Sequence, residues 1–201
     1  MPIDKRKIDH LISSIIEIDN INWFEKLNLD AHIESKLFEY QIYHLYELLI
    51  ALETSNVIIN GSDTGTGKTY VTAALCAKTN LIPIVLCNNT LITYWHEVFK
   101  IFEVKPLFII NYEAIIEGKY LNPDDNSKKL IHCPWIKVNE YNNTYERFKW
   151  HIPPNAIVIF DEAHKCKNPK SLHGKLLMSI KNIKRKSMLL SATISAVPKD
   201  F

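Results

Sequence analysis

Two kinds of hydrophobic pattern alternate along the chain. Val57–Ile59, Pro83–Cys87, Leu107–Ile110, Ala156–Phe160 and Ser187–Leu190 are short runs with few polar interruptions. Such runs suit parallel strands, which are covered on both faces and therefore lack a polar side. Between them, apolar residues recur every three or four positions. This spacing predicts a helix from Leu37 to about Leu52, with Tyr40, His44, Leu45, Leu48 and Leu49 facing inward. It predicts others over Tyr70–Lys78, over Thr90–Phe102 with Leu91, Trp95, Val98, Phe99 and Phe102 inward, and over Leu172–Lys181. Strands alternating with helices predict an α/β fold, a mostly parallel sheet with helices on both faces.

Two regions stand outside this rhythm. Residues 1–36 read as a helical lead-in: Ile8, Leu11, Ile12, Ile15 and Ile16 lie on one helical face, and Trp23, Phe24, Leu27 and Leu29 continue an apolar seam. Gly118–Asn155 is polar, rich in Asn and Lys, and interrupted by Pro123, Pro134, Pro153 and Pro154. It reads as an insertion or long connection on the surface of the unit 37–201. Within it, Thr144–Trp150 suits a short helix, and Trp135 with Ile136 a packed contact.

Composition narrows the class only a little. A chain of 201 residues, 47% hydrophobic and 23% charged, suits a globular protein with a sizeable core. Its net charge of +2 names no partner. The charge is uneven, however: no acid falls between Glu162 and Asp200, where Lys165, Lys167, Lys170, Lys175, Lys181, Lys184, Arg185 and Lys186 cluster. That run reads either as a basic face for phosphates or as a solvated lysine face. Cys76, Cys87, Cys133 and Cys166 show no paired spacing, which suits reduced thiols and an intracellular setting, nuclear or cytoplasmic, a viral protein included. No apolar run approaches the roughly 18 residues that span a bilayer, and the N-terminus has no signal-peptide pattern, so no membrane partner is expected.

The chemistry begins where the run Val57–Ile59 meets Ser62-Asp63-Thr64-Gly65-Thr66-Gly67-Lys68-Thr69. A glycine-rich turn between strand and helix, ending in Gly-Lys-Thr, is the sequence form of a phosphate-binding loop. Backbone N–H groups cradle the phosphates, Lys68 reaches the β- and γ-phosphates, and the Thr69 hydroxyl ligates Mg²⁺. The helix N-terminus adds free amides and a positive dipole end. The strict pattern has glycine where Ser62 stands, and a small residue still fits there.

Further along, the run Ala156–Phe160 ends in Asp161-Glu162-Ala163-His164. Ligands in open α/β sheets sit at the carboxyl ends of strands. In phosphoryl chemistry the first carboxylate would hold Mg²⁺ and the second would orient the attacking water. Gln41, upstream of the loop, carries an amide able both to donate to and accept from an adenine edge.

Taken in order, Gln41, the Thr-Gly-Thr-Gly-Lys-Thr loop, Asp161-Glu162-Ala163-His164 and Ser191-Ala192-Thr193 resemble the motifs of superfamily 2 helicase-type ATPases. Leu37–Gln41, Trp95 with Phe99, Asn111-Tyr112-Glu113 and Lys165–Asn168 are similar to marks of the Swi/Snf-like branch of DNA translocases. A residue such as Ser62 is ordinary in that superfamily. Asn88 and Ile194 depart from prolines usual in the branch, and Ser-Ala-Thr is closer to the wider superfamily. The resemblance implies a RecA-like lobe that binds ATP and Mg²⁺, with Gln41 reading adenine, Lys68 on phosphates, Thr69 and Asp161 at the metal and Glu162 positioning water. It implies that His164, Ser191 and Thr193 couple nucleotide state to a nucleic acid, duplex DNA in the branch. It implies too a second RecA-like lobe carrying an arginine finger, so that the 201 residues alone would hydrolyse ATP very slowly. An RNA helicase of the same superfamily and a nucleotide-binding scaffold without hydrolysis are the alternatives.

Overall fold

The computed structural model describes residues 28–121 and 129–192. Five strands form one parallel sheet in the order β1-β9-β8-β2-β3. They are β1 (Val57–Asn60), β2 (Ile82–Cys87), β3 (Phe108–Asn111), β8 (Ala156–Asp161) and β9 (Lys186–Leu190). Each near-continuous apolar run is thus a strand of the parallel sheet. Residues alternate between the two faces of a strand, so such a run feeds two cores at once. Val85, Cys87, Ile157, Ile159, Met188 and Leu190 point into one core. Ile84, Leu86, Val158, Phe160 and Leu189 point into the other. Full burial of a side chain of this kind contributes about 1.5–3 kcal/mol.

The first core is roofed by α1 (Ala31–Glu34), α2 (Glu39–Thr54), α3 (Lys68–Thr79) and α4 (Ile92–Ile101). Trp95, Val98, Phe99 and Phe102 face inward as the spacing predicts. Tyr40 does not. It is 54% exposed and stacks on Phe38 with ring centroids 5.8 Å apart, while Gln41 takes the buried position beside it. The buried stripe of the helix Glu39–Thr54 is Gln41, Ile42, Leu45, Leu48 and Leu52, one position on from a stripe that begins at Tyr40, and this leaves Tyr40 on the outer side. The lead-in helix over Ile8–Ile18 and the seam at Trp23, Phe24 and Leu27 lie outside the described residues.

The second core is covered by α5 (Tyr112–Ile116), α6 (Leu172–Ser179) and much of the region 118–155. Two short antiparallel pairs occur there: β4 (Lys119–Leu121) with β5 (Leu130–His132), and β6 (Ile136–Val138) with β7 (Phe148–Trp150). Cys133, Ile136, Phe148, Trp150 and Ile152 are buried against the sheet side, so the region is a cover as well as a connection. Trp150 donates its indole N–H to Ser179 Oγ at 2.8 Å, tying β7 to α6. The expected helix over Thr144–Trp150 is limited to a single 3₁₀ turn, Tyr145–Arg147. Phe148 and Trp150 are buried with Lys149 exposed between them, a period of two that belongs to a strand.

In register, Asn60 lies opposite Leu190, Leu190 opposite Asp161, and Cys87 opposite Asn111. The carboxyl ends of the strands therefore form one line, where open α/β sheets bind ligands.

Candidate active site

The loop between β1 and α3 owes its shape to two left-handed glycines. Gly65 has φ +80° and Gly67 φ +83°. An L side chain held in that region costs about 1–2 kcal/mol. At Gly67 space is also closed, since a Cβ there would lie 2.1 Å from Gln41 Nε2. At Gly65 nothing approaches within 4 Å, which leaves an open approach to the backbone. Lys68 Nζ donates to the carbonyls of Ser62 and Asp63, both at 2.8 Å, so the ammonium arches back over the loop. Thr66 Oγ1 donates to the Asp63 carbonyl at 2.8 Å and lies 3.1 Å from Ser62 Oγ. Thr69, in the first turn of α3, shares a side-chain hydrogen bond with Tyr94 of α4. The first-turn amides of a helix have no intrahelical acceptor and are free for an anion.

Gln41 is 5% exposed and lies against this loop. Its Oε1 accepts from Phe38 N–H at 3.0 Å, fixing the start of α2, and its Nε2 donates to the Thr66 carbonyl at 3.1 Å. In this arrangement the amide is part of the loop's own bonding.

Asp161 ends β8 and is held at two points by residues far away in sequence. Trp95, fully buried, donates its indole N–H to Asp161 Oδ2 at 2.9 Å, and Tyr112 donates its hydroxyl to the Asp161 carbonyl at 2.7 Å. Neither contact follows from the inward spacing of Trp95 or from the Asn111-Tyr112-Glu113 motif. The visible signal was only that both follow strands in the apolar-run pattern. Glu162 adopts φ +56°, ψ +48°, a left-handed backbone rare outside glycine that costs about 1–3 kcal/mol. It turns the chain sharply off the strand into the 3₁₀ turn Ala163–Cys166. Its Oε2 lies 3.1 Å from His164 Nδ1, which is also 3.2 Å from Ser191 Oγ. Glu162, His164 and Ser191 are thus brought together. Thr193 lies outside the described residues.

The donor set suits a nucleotide and Mg²⁺. Open backbone at Gly65, the Lys68 ammonium, the Thr69 hydroxyl and the Asp161 carboxylate all lie at or beside the carboxyl edge of the sheet. The carboxyl of Asp161 is pushed above its ordinary range chiefly by burial, with the Trp95 N–H opposing the rise and the neighbouring Glu162 charge adding to it. Its folded-state value therefore exceeds the unfolded one, and ionised Asp161 weakens the fold as pH rises through that folded-state value. Asp161→Asn removes the charge and keeps an oxygen for Trp95. The variant should melt a few degrees higher than the parent at pH 7. The gain should shrink as pH falls through that raised folded-state value, since the parent carboxyl then takes up its proton too. Thermal melts across pH test this, and equal melting at pH 7 would count against it.

The basic run does not form one face. Lys186 Nζ donates to the carbonyls of Leu52 and Ser55 at 2.6 and 3.1 Å, and Arg185 Nε to that of Pro153 at 3.1 Å, at the amino end of β9. Lys165, at the opposite end of the sheet, bonds Asn88 Oδ1 just past β2. Asn88 thereby has a partner in the turn after Asp161-Glu162, at the position where the branch has proline.

Comparison with known proteins adds the family. A protein of Acanthamoeba polyphaga mimivirus named "Putative ATP-dependent RNA helicase" is 41% identical over 176 residues, covering 85% of this chain and 33% of its own length. The Sulfolobus solfataricus SWI2/SNF2 ATPase core, solved in complex with double-stranded DNA, superposes with a TM-score of 0.52 at 16% identity, over 82% of this chain and 34% of the other. The likeness in fold agrees with the RecA-like parallel sheet. The chain spans about a third of the length of each of these two proteins. The family described as type III restriction enzyme, res subunit, matches residues 34–196, and the chain belongs to that family, superfamily 2 helicase-type ATPases of which it carries a RecA-like lobe.

Proposed function

We propose that residues 37–201, behind the lead-in 1–36, are the first, ATP-binding lobe of a two-lobed nucleic-acid motor that acts on duplex DNA. The observation that carries the reading is the alignment of the Lys68 loop with Asp161 and Glu162 along one edge of the sheet. In the bound state Lys68 would exchange the Ser62 and Asp63 carbonyls for phosphate oxygens, and the first-turn amides of α3 would face the same anion. Thr69 and Asp161 would hold Mg²⁺, which when bound neutralises phosphate charge. Trp95 leaves Asp161 one oxygen, Oδ1, outside their mutual bond. Glu162 would orient the attacking water, with His164 against its Oε2 and Ser191 behind His164 linking this corner to the end of β9. Gln41 would read adenine with the second amide hydrogen and the second oxygen lone pair, those not used by the Thr66 carbonyl and the Phe38 N–H.

A second lobe would supply an arginine finger, a group that contributes about 10³–10⁵ in rate in phosphoryl transfer. The 201 residues alone should accordingly bind ATP and turn it over very slowly. Trp95 and Tyr112, marks of the DNA-translocating branch, both hold Asp161, and this supports duplex DNA. The second reading, an RNA helicase, is favoured by the name of the mimivirus relative. Titrating the ATPase of the longer protein with duplex DNA and with single-stranded RNA separates them. Stimulation by duplex DNA is expected. Stimulation by RNA alone would transfer the proposal to RNA, and a response to neither would end the motor reading.

A further inference from the structure

Asn60, the last residue of β1, is wholly buried and is the pivot of a hydrogen-bond chain that reaches the loop from helix α2. Its Oδ1 faces three groups: Ser62 N–H at 3.3 Å, Ser62 Oγ at 2.7 Å and His44 Nε2 at 3.0 Å. A backbone N–H can only donate, so the atom facing Ser62 is the oxygen of the amide and its orientation is fixed. His44 Nε2 must then carry a hydrogen and donate. On its other side Glu47 Oε2 lies 3.3 Å from Nδ1. Ser62 Oγ, in turn, lies 3.1 Å from Thr66 Oγ1.

His44 and Gln41 stand one turn apart on α2 and reach opposite ends of the loop. Gln41 holds the Thr66 carbonyl directly, at the end that enters α3. His44 holds Ser62 through Asn60, at the end that leaves β1. Ser62 is also where Lys68 rests, its carbonyl accepting from Nζ. A loop whose backbone must present amides to a phosphate gains from having both ends fixed before the anion arrives, since the ordering cost is then not charged against binding.

We propose that His44 is a positioning residue of the nucleotide site: acting through Asn60 it sets the Ser62 end of the phosphate loop, so that α2 clamps the loop from both sides. The inference rests on the reading of this loop as a nucleotide site. Asn60 transmits the constraint through its oxygen, which serves both the helix and the loop.

The test measures binding of a fluorescent ATP analogue to the full chain, with melting temperature read alongside. His44→Leu keeps a similar bulk and removes the donor; His44→Gln restores an N–H near Asn60 Oδ1. The Leu variant should bind about tenfold more weakly, one lost hydrogen bond expressed in loop order. The Gln variant should recover most of the affinity, with both melting close to the parent. Asn60→Asp, which keeps the accepting oxygen, should bind better than Asn60→Leu. Leu and Gln variants that bind as the parent does, or that lose affinity and melting temperature equally, would overturn the positioning role. Failure of the parent chain to bind the analogue would instead remove the nucleotide reading itself.

Discussion

Exchanging Glu162 for glutamine is expected to stop ATP turnover by the longer protein while leaving nucleotide binding within a few-fold of the parent. The two effects separate because the residue has two parts with different tasks. Its backbone, at φ +56° and ψ +48°, turns the chain off β8 and sets the approach to His164. Glutamine occupies the left-handed region at a cost close to that of glutamate, so this turn is kept. The glutamine oxygen can still accept from His164 Nδ1, the contact that now spans 3.1 Å. What the amide lacks is the negative charge that orients and polarises water, an effect of about 10²–10⁴ in rate for a positioned base. Phosphate binding, proposed above for Lys68 and the α3 amides, would involve none of these atoms. Single-turnover hydrolysis and equilibrium binding of the same variant decide the matter. Turnover at the parent rate, or loss of binding, would contradict the role given to Glu162.

The parallel sheet was legible because its strands are covered on both faces, so each left an unbroken apolar signature in one short window. The glycine turn between β1 and α3 was legible for a related reason, since the residues that shape it are consecutive, Ser62–Thr69. The support of Asp161 was not. Trp95 is 66 positions away and Tyr112 is 49, and neither contact leaves a local mark. What spacing showed of Trp95 was only that it faces inward. Its indole N–H, a buried donor that needs an acceptor, found one in the carboxylate at the end of β8.

Short elements were the other source of error. The strands of the region 118–155 are three residues long, below the length at which alternation stands out, and Phe148–Trp150 was absorbed into a helical reading. The helix Tyr112–Ile116 is only five residues long, too short for helical spacing to show. Asn111 gave the available signal: its Oδ1 accepts from Ala114 N–H at 2.8 Å, the bond of a helix N-cap. Asn60 was passed over for the opposite reason. A polar residue closing an apolar strand looks like the strand's end, and only the tertiary fold shows it wholly buried between His44 and Ser62. Glycine 174 carries a similar hidden requirement, since a Cβ there would lie 2.0 Å from the Asn168 carbonyl oxygen. The absence of a side chain lets α6 lie close against the Asn168 backbone.

Replacing Lys68 with alanine is expected to weaken ATP binding by about tenfold to a hundredfold, the range spanned by hydrogen bonds to charged groups at roughly 1.5–3 kcal/mol. Two losses combine. The variant lacks the ammonium that would meet the β- and γ-phosphates. It also leaves the carbonyls of Ser62 and Asp63 without the donor that now holds each at 2.8 Å, so the loop is less ordered before the nucleotide arrives. Lys68→Arg should not restore binding. The guanidinium is a planar fork rather than a compact point charge, and the two carbonyls now converge on the single nitrogen Nζ. Melting temperature should fall only slightly in both variants, because the ammonium lies outside the two apolar cores that hold the sheet. Binding of a fluorescent ATP analogue to the 201-residue chain measures the effect. An alanine variant with parental affinity would mean that the ammonium serves the loop alone and that the amides of α3 carry the phosphate by themselves.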